Sequence, residues 1–386
     1  MQLIFWLLIA LIFYTYVGYG ILIYLLVKVK GSAVSDLVSE DFSAPEVTHI
    51  IAAYNEEDFI RSKIENALSL NYPSSKHHIW IVTDGSDDRT PAIVKEYENV
   101  RLFHQPERKG KIHAINRVME KVKTPITVFS DANTELNKDA LLNIVRHYND
   151  PKVGCVAGEK RVRIAGQDSS EASEGLYWKY ESFLKKYDYQ LYSVVGAAGE
   201  LFSIRTVLHQ HIQPDTLIED FLVSLSINRR GFKTAYEPDA YALENSSQDI
   251  IEESKRKIRI AAGAFQAMWR LRGVLNIFKY GWLTFQYVSH RVLRWTVAPL
   301  ALPIIFFLNL LLINQSSVYY YLFVGQVAFY LAALLGYVLQ RKKIKIKALF
   351  IPFYFSFMNA CVMLGFIRYL KGSQSALWER AKRKSN

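Results

Sequence analysis

The sequence predicts an α/β fold, a mostly parallel sheet with helices on both faces, joined to transmembrane and interfacial helices. Three observations predict it. From Val47 to about Asp239, short β-branched runs alternate with helical periods over short connections, as strands and covering helices do. Uncharged stretches of membrane length flank that region on both sides. Acidic and amide residues follow the strand-like runs, at the strand ends where open α/β sheets collect ligands.

Taken in order, residues 3–27 carry no charge before Lys28, enough for a helix to cross about 30 Å of hydrocarbon. With no basic start and no small-x-small cleavage site, residues 1–30 read as a retained transmembrane anchor rather than a signal peptide. Residues 31–249 are expected to form the catalytic domain, beginning with a polar, Pro-containing linker over 31–46. Its strands are expected at Val47–Ala53, His78–Thr83, Val100–His104, Ile126–Phe129 and Val153–Ala157. Helices are expected at Glu57–Leu70, Thr90–Tyr97, Lys111–Lys121, Lys138–Tyr148 and Glu171–Gln190. Residues 250–295 are basic, aromatic and amphipathic, which suits helices lying in the membrane interface. Residues 296–370 offer two to three spans: Asn314–Ser317 divides one uncharged run, and Pro352 and Asn359 interrupt another. That second run either crosses the membrane or enters and returns. A basic tail, 371–386, follows.

The net charge of +11 does not point to nucleic acid. Its excess gathers beside the apolar stretches: Lys28 and Lys30, Lys255–Lys257 with Arg259, Arg341–Lys343, and Arg380–Lys384. That distribution fits anionic lipid headgroups and a cytoplasmic catalytic domain. Cys155 and Cys361 are the only cysteines, which excludes a disulfide framework or a thiolate metal site.

Several short motifs carry chemistry. Tyr54-Asn55-Glu56 follows the first strand and offers amides and a carboxylate to a base or ribose. Asp84-Gly85-Ser86 ends the second strand in an acidic turn. Arg108-Lys109-Gly110-Lys111 is a flexible cationic turn opening a helix, a place for a diphosphate. Asp131 and Asn133 set two oxygen ligands side by side, as hard divalent cations such as Mg²⁺ prefer. Glu219-Asp220 opens a later helix, where the dipole alone would also favour acids. Arg256 and Arg259, at i and i+3, share a helix face that suits phosphate.

In this order, together with Gly199-Glu200, these motifs resemble the membrane-integrated family 2 inverting glycosyltransferases with a GT-A fold. Within them the chain resembles the cellulose, hyaluronan, chitin-oligosaccharide and poly-N-acetylglucosamine synthases, over roughly Val47 to Trp269. The resemblance implies a UDP-sugar donor held by Asn55, Glu56, Asp84, Lys111 and Asp131. It implies a divalent metal, Mg²⁺ or Mn²⁺, at Asp131 and Asn133, and a glycan or glycolipid acceptor near Gly199 and Glu200. Asp220 matches the catalytic base, with Glu219 beside it.

Two departures stand out. Asn133 replaces the second acid of the family's Asp-x-Asp motif. Where processive members carry Gln-x-x-Arg-Trp, this chain has Arg256 to Ile260, keeping the arginine as Arg259; Gln266 and Trp269 supply the other residue types later. Trp269 is thus the candidate acceptor platform, and processive synthesis is the expectation most exposed to this change. Transfer of one sugar to a lipid, and a non-catalytic scaffold or transport subunit, are the competing readings.

Overall fold

The computed structural model describes residues 1–32, 34, 43–163, 169–245, 250–342, 344 and 346–377, with side chains left undescribed over 169–177. Most of the expected linker, and the basic tail from 378 onward, lie outside the described residues.

Eight strands form one sheet: β1 Val47–Ala53, β2 His77–Asp84, β3 Val100–Gln105, β4 Ile126–Asp131, β5 Thr134–Leu136, β6 Val153–Arg163, β7 Leu201–Arg205 and β8 Lys233–Asn245. Their order is β3-β2-β1-β4-β7-β6-β8-β5. The first four are parallel, as expected. The sheet then becomes mixed: β7 runs antiparallel to both β4 and β6, and β5 antiparallel to β8, while β6 and β8 are parallel. The five expected strands all form. The three missed ones are short or interrupted; in β8 the pairing register with β6 jumps from Glu237 to Tyr241, past Pro238, which has no N–H to give a ladder.

The first helices are α1 Gln2–Lys30, the expected anchor, and α2 Ile60–Leu68, α3 Thr90–Val94, α4 Lys111–Met119, α5 Ala140–Val145, α6 Ser169–Leu191, α7 Glu219–Arg229 and α8 Ile250–Arg270. Beyond them come α9 Trp282–Trp295, α10 Val297–Leu312, α11 Ser317–Arg341 and α12 Lys347–Leu370. Strand β1 is buried along its whole length, the mark of a central strand covered on both faces. Its alternate residues feed two cores. Ile50 packs with Trp80, Ile112 and Phe129, and Ile51 with Ile60, Ile64 and Ile81.

Helices α1, α11 and α12 are long and apolar enough to cross a membrane, and α9 with α10 makes a fourth candidate bent by 50°. The stretch 250–295, expected in the interface, is not wholly separate from these candidates: Trp282–Trp295 belongs to the bent one. From Trp282 onward the chain runs antiparallel to α1: Lys30 Nζ lies 4.8 Å from the Trp282 ring, Phe285 faces Tyr19 at 5.9 Å, and Tyr14 and Ser289 hydroxyls meet at 2.8 Å. Nor does α12 turn back on itself. Pro352 lies inside one continuous helix, and Asn359 accepts a 2.7 Å hydrogen bond from Tyr16 on α1. Helix α12 follows α8, with Gly365 against Ala261 and Phe265 facing Tyr369, and Leu377 comes to rest beside Gly110 of the catalytic domain.

A buried charge cluster fixes the domain against α1. Asp188 is fully buried and takes hydrogen bonds from the Tyr19 hydroxyl and from His290 Nδ1, both at 2.5 Å. Glu181, a further two turns along α6, pairs with Arg291 at 2.5 Å and Arg294 at 3.0 Å. Buried charges are tolerated only when partnered in this way, so the cluster specifies one register for α1, α6 and α9.

Candidate active site

The site lies at the carboxyl ends of β1, β2 and β4. Asp84 closes β2, and its Oδ2 accepts from the backbone N–H groups of Lys109 at 2.9 Å and Gly110 at 2.5 Å. Its Oδ1 is buried without a partner, an atom the fold leaves for a ligand. Gly85 has φ +69°, and a Cβ there would lie 2.5 Å from Arg108 Cβ, so the turn requires glycine. Arg108 in turn covers the Tyr54 ring at 3.9 Å. Tyr54, Asp84 and Arg108 thus line one narrow recess. In the sequence Tyr54 and Arg108 stand only as members of two separate motifs, and the fold brings the two loops together.

Asn55 and Glu56, expected at the donor, are bonded within the protein. Asn55 sits at φ 52°; its amide donates to Asp87 Oδ1 at 2.6 Å and accepts from the Asp87 N–H at 3.1 Å. Glu56 is buried and its backbone N–H donates to Thr90 Oγ1 at 2.9 Å. Both residues tie the β1 loop to the β2 loop and so shape the recess from behind.

Lys111, at the start of α4, is the hub. Its Nζ lies 3.0 Å from Asp131 Oδ1 and 2.6 Å from Glu219 Oε1. Burial works against the ammonium, but the two carboxylates outweigh it and hold Lys111 above the usual lysine range. Glu219 is likewise held below the usual carboxylate range: burial opposes its charge, and Lys111 more than compensates. Asp220 has no such cation. Burial first, and the Glu219 charge second, push its carboxyl up to about 7. Two adjacent acids are thereby separated into a fixed anion and a group that exchanges a proton near neutrality.

Gly199 lies against this second acid, where a Cβ would come within 3.3 Å of Asp220 Oδ2. Glu200, expected at the acceptor, is bound by Lys160, which is 1% exposed and also grips Glu244. Burial pushes the Glu200 carboxyl up, but Lys160 outweighs it and holds it below the usual range. Arg256 lies 3.7 Å from Glu244 at the far end of this chain of charges. Arg259 reaches the Leu217 carbonyl at 3.4 Å, two residues before Glu219, and its charge helps hold Glu219 ionised. Gln266 also serves this segment, accepting from Leu217 N–H at 3.1 Å and donating to the Asp215 carbonyl at 2.8 Å.

Trp269 is not brought to the acids. Its ring is 63% exposed and its ring contact is Arg272, at 4.8 Å. Ile260, where an aromatic was expected by resemblance, is 39% exposed.

Among the described residues no group of three or more His, Cys, Asp or Glu converges as a metal site. A two-residue oxygen donor set is present. Asn133 Oδ1 is buried without a partner, two residues from the Asp131 carboxylate. Such a pair fits a hard cation that takes its remaining ligands from phosphate and water.

The chain is similar to known proteins in sequence and in fold. Residues 48–212 match the family described as glycosyl transferase family 2. The poly-beta-1,6-N-acetyl-D-glucosamine synthase of Staphylococcus aureus (strain MSSA476) is 26% identical over 235 residues, 58% of this chain and 56% of that protein. The beta-monoglucosyldiacylglycerol synthase of a Synechocystis species is 30% identical over 185 residues, 46% of this chain and 38% of that protein. The chain thus spans about half, or less, of the length of the curated relatives it matches. Among solved structures, the mannosyltransferase PcManGT from Pyrobaculum calidifontis, in complex with GDP-Man and Mn²⁺, covers 96% of this chain and 99% of its own. Its TM-score is 0.76 at 21% identity, a likeness of fold. The sequence match places a glycosyl transferase family 2 domain at residues 48–212, and the likeness of fold sets it on a GT-A-like α/β core.

Proposed function

We propose that this chain is a membrane-bound inverting glycosyltransferase that moves a hexose from a UDP-sugar to a glycan or glycolipid acceptor, in extracellular or capsule-type polysaccharide synthesis. The observation that carries the reading is the contact of Lys111 with both Asp131 and Glu219, with Asp220 beside Gly199. It gathers a diphosphate-binding cation, an oxygen donor pair and a base into one cluster.

In this reading the base of the nucleotide enters the Tyr54–Asp84–Arg108 recess, and the diphosphate meets Lys111 and the first N–H groups of α4. A divalent cation held by Asp131 and Asn133 would supply further neutralisation of the leaving diphosphate. Asp220 takes the proton of the acceptor hydroxyl as that oxygen attacks the anomeric carbon. The bond from that carbon to the diphosphate oxygen breaks, the nucleotide leaves with the electron pair, and configuration inverts. Gly199 leaves room for the acceptor next to Asp220. The basic residues after α1 favour a cytoplasmic catalytic domain on a bacterial inner or plasma membrane.

A second reading, one sugar added to a lipid, is favoured by Ile260 in place of an aromatic and by the outward Trp269. A non-catalytic scaffold is opposed by the Lys111 cluster, in which buried charges are kept at the cost of desolvation. The test is a nucleotide-diphosphate release screen over UDP- and GDP-sugars with the full chain in nanodiscs, followed by linkage and size analysis of products. Release from no sugar nucleotide with any acceptor would sink the enzymatic reading; release from GDP-sugars alone would overturn the UDP assignment.

A further inference from the structure

Helix α9 leaves the catalytic domain alongside the inner end of α1. Trp282 sits beneath Lys30, then Phe285 faces Tyr19, and Ser289 meets Tyr14. Lys28 and Lys30 are the first charges after the uncharged stretch of α1, so Trp282 stands where hydrocarbon gives way to headgroups. The residues Arg272–Gly281 come just before it and, with α1 and α9 crossing a bilayer, would stand at headgroup level.

This stretch is built rather than loose. The Thr284 hydroxyl donates to the Val274 carbonyl at 2.6 Å, the Asn276 side chain caps the single turn Ile277–Tyr280 from Lys279 N–H at 3.2 Å, and Gly281 turns the chain at φ 51°. Val274 and Leu283 are buried beneath it. Yet Phe278 is 100% exposed, and Leu275, Ile277 and Trp282 are exposed with it. A phenylalanine held wholly outside a rigid turn gains nothing from the protein itself. The charges around it have one sign: Arg272 and Lys279 flank the tip, and no Asp or Glu occurs from Ser254 to Trp378.

We infer that the Arg272–Trp282 tip is a docking surface for an anionic lipid leaflet. Phe278 and Ile277 enter the boundary between headgroups and acyl chains, while Arg272 and Lys279 hold lipid phosphates. The tip also sets the height of the chemistry. It continues directly from α8, whose Gln266 and Arg270 grip Asp215 and Thr216, and these lead into Glu219 and Asp220. Seating the tip therefore presents the acid pair at a fixed distance from the lipid surface. This rests on the membrane-bound part of the proposed function and not on its transfer chemistry, so the test reads lipid contact rather than activity.

The experiment places an environment-sensitive fluorophore on Phe278→Cys in the full chain, with Cys155 and Cys361 buried and so out of competition. A second labelled variant, Val207→Cys, lies on the catalytic domain and is 82% exposed. Each is reconstituted in phosphatidylcholine nanodiscs with or without phosphatidylglycerol, and quenched by brominated acyl chains or by aqueous iodide. Bromolipid should quench the label at 278 and not at 207, with iodide doing the reverse. Phosphatidylglycerol should deepen the quenching at 278 about twofold, and Arg272→Glu with Lys279→Glu should abolish that gain. Iodide quenching at 278 equal to that at 207 overturns the docking surface. Equal bromolipid quenching with and without phosphatidylglycerol overturns its anionic selectivity.

Discussion

Lys111 Nζ and Glu219 Oε1 meet at 2.6 Å, joining the start of the helix after β3 to the start of the helix that carries the acid pair. The contact answers a difficulty that adjacent carboxylates pose, since two neighbouring buried anions raise one another's pKa. Lys111 stabilises the charge on Glu219, and Asp220 alone bears the cost of burial. Geometry thus assigns the two acids different work. It also ties the candidate phosphate residue to the start of the helix that carries the candidate base, Asp220.

Lys111→Met should therefore damage both halves. Glu219 and Asp131 would be left buried without their cation, a change that costs about 3–5 kcal/mol when a buried pair loses one member. Thermal unfolding should shift down, and nucleotide release should fall by at least about a hundredfold. Wild-type release from this variant would disprove the hub.

Asp220→Asn should abolish transfer while donor affinity stays within a few-fold of wild type. General-base catalysis contributes about 10²–10⁴-fold, and Asp220 faces Gly199 rather than the nucleotide recess. Retention of more than about a tenth of the activity would show another group to be the base.

The rate of transfer should rise with pH through about 7, the position to which burial and Glu219 push the Asp220 carboxyl. The base works as the carboxylate, so activity is lost as pH falls below that point. Stability follows the opposite sign. The folded state holds this proton more tightly than the unfolded chain, so stability declines as pH rises from the ordinary aspartate range to about 7. Asp220→Asn escapes that decline, and its melting temperature should gain on wild type across the same interval. A flat pH–rate profile between about pH 5.5 and 8.5 would contradict the assignment.

Asp131→Ala should remove Mn²⁺ binding together with activity, and Asn133→Asp should tighten Mn²⁺ binding by about tenfold by restoring a second anionic oxygen. Calorimetric titration of Mn²⁺ into each variant measures this apart from turnover. Full activity after exhaustive chelation would remove the metal from the mechanism.

Products should be short, one or a few additions per acceptor. Ile260 offers no stacking surface, and the Trp269 ring is paired with Arg272 on the exposed side of α8. Trp269→Ala should leave product length unchanged. Size analysis with excess acceptor checks both statements, and long polymer appearing while most acceptor remains unextended would refute the first.

Local periodicity in the sequence determined the parallel half of the sheet, β1 to β4, the strand β6 in its mixed half, and the uncharged lengths of α1, α11 and α12. Those features depend on a few consecutive residues, because a buried central strand or a membrane span is selected for along its own length. The sequence likewise marked Asp84, Lys111, Asp131, Asn133 and Asp220, each at a turn or helix start legible nearby, as candidates, and the family resemblance added Gly199. Tertiary structure decided the rest. It ran β7 antiparallel, put Arg256 beside Glu244, bonded Asn55 to Asp87, left the Trp269 ring exposed, and laid α9 along α1. Above all it brought Lys111 to Glu219, residues separated by more than a hundred positions. The energy of a buried charge depends on which opposite charge lies within a few ångströms, and that distance is a property of the packed fold, not of any stretch of sequence.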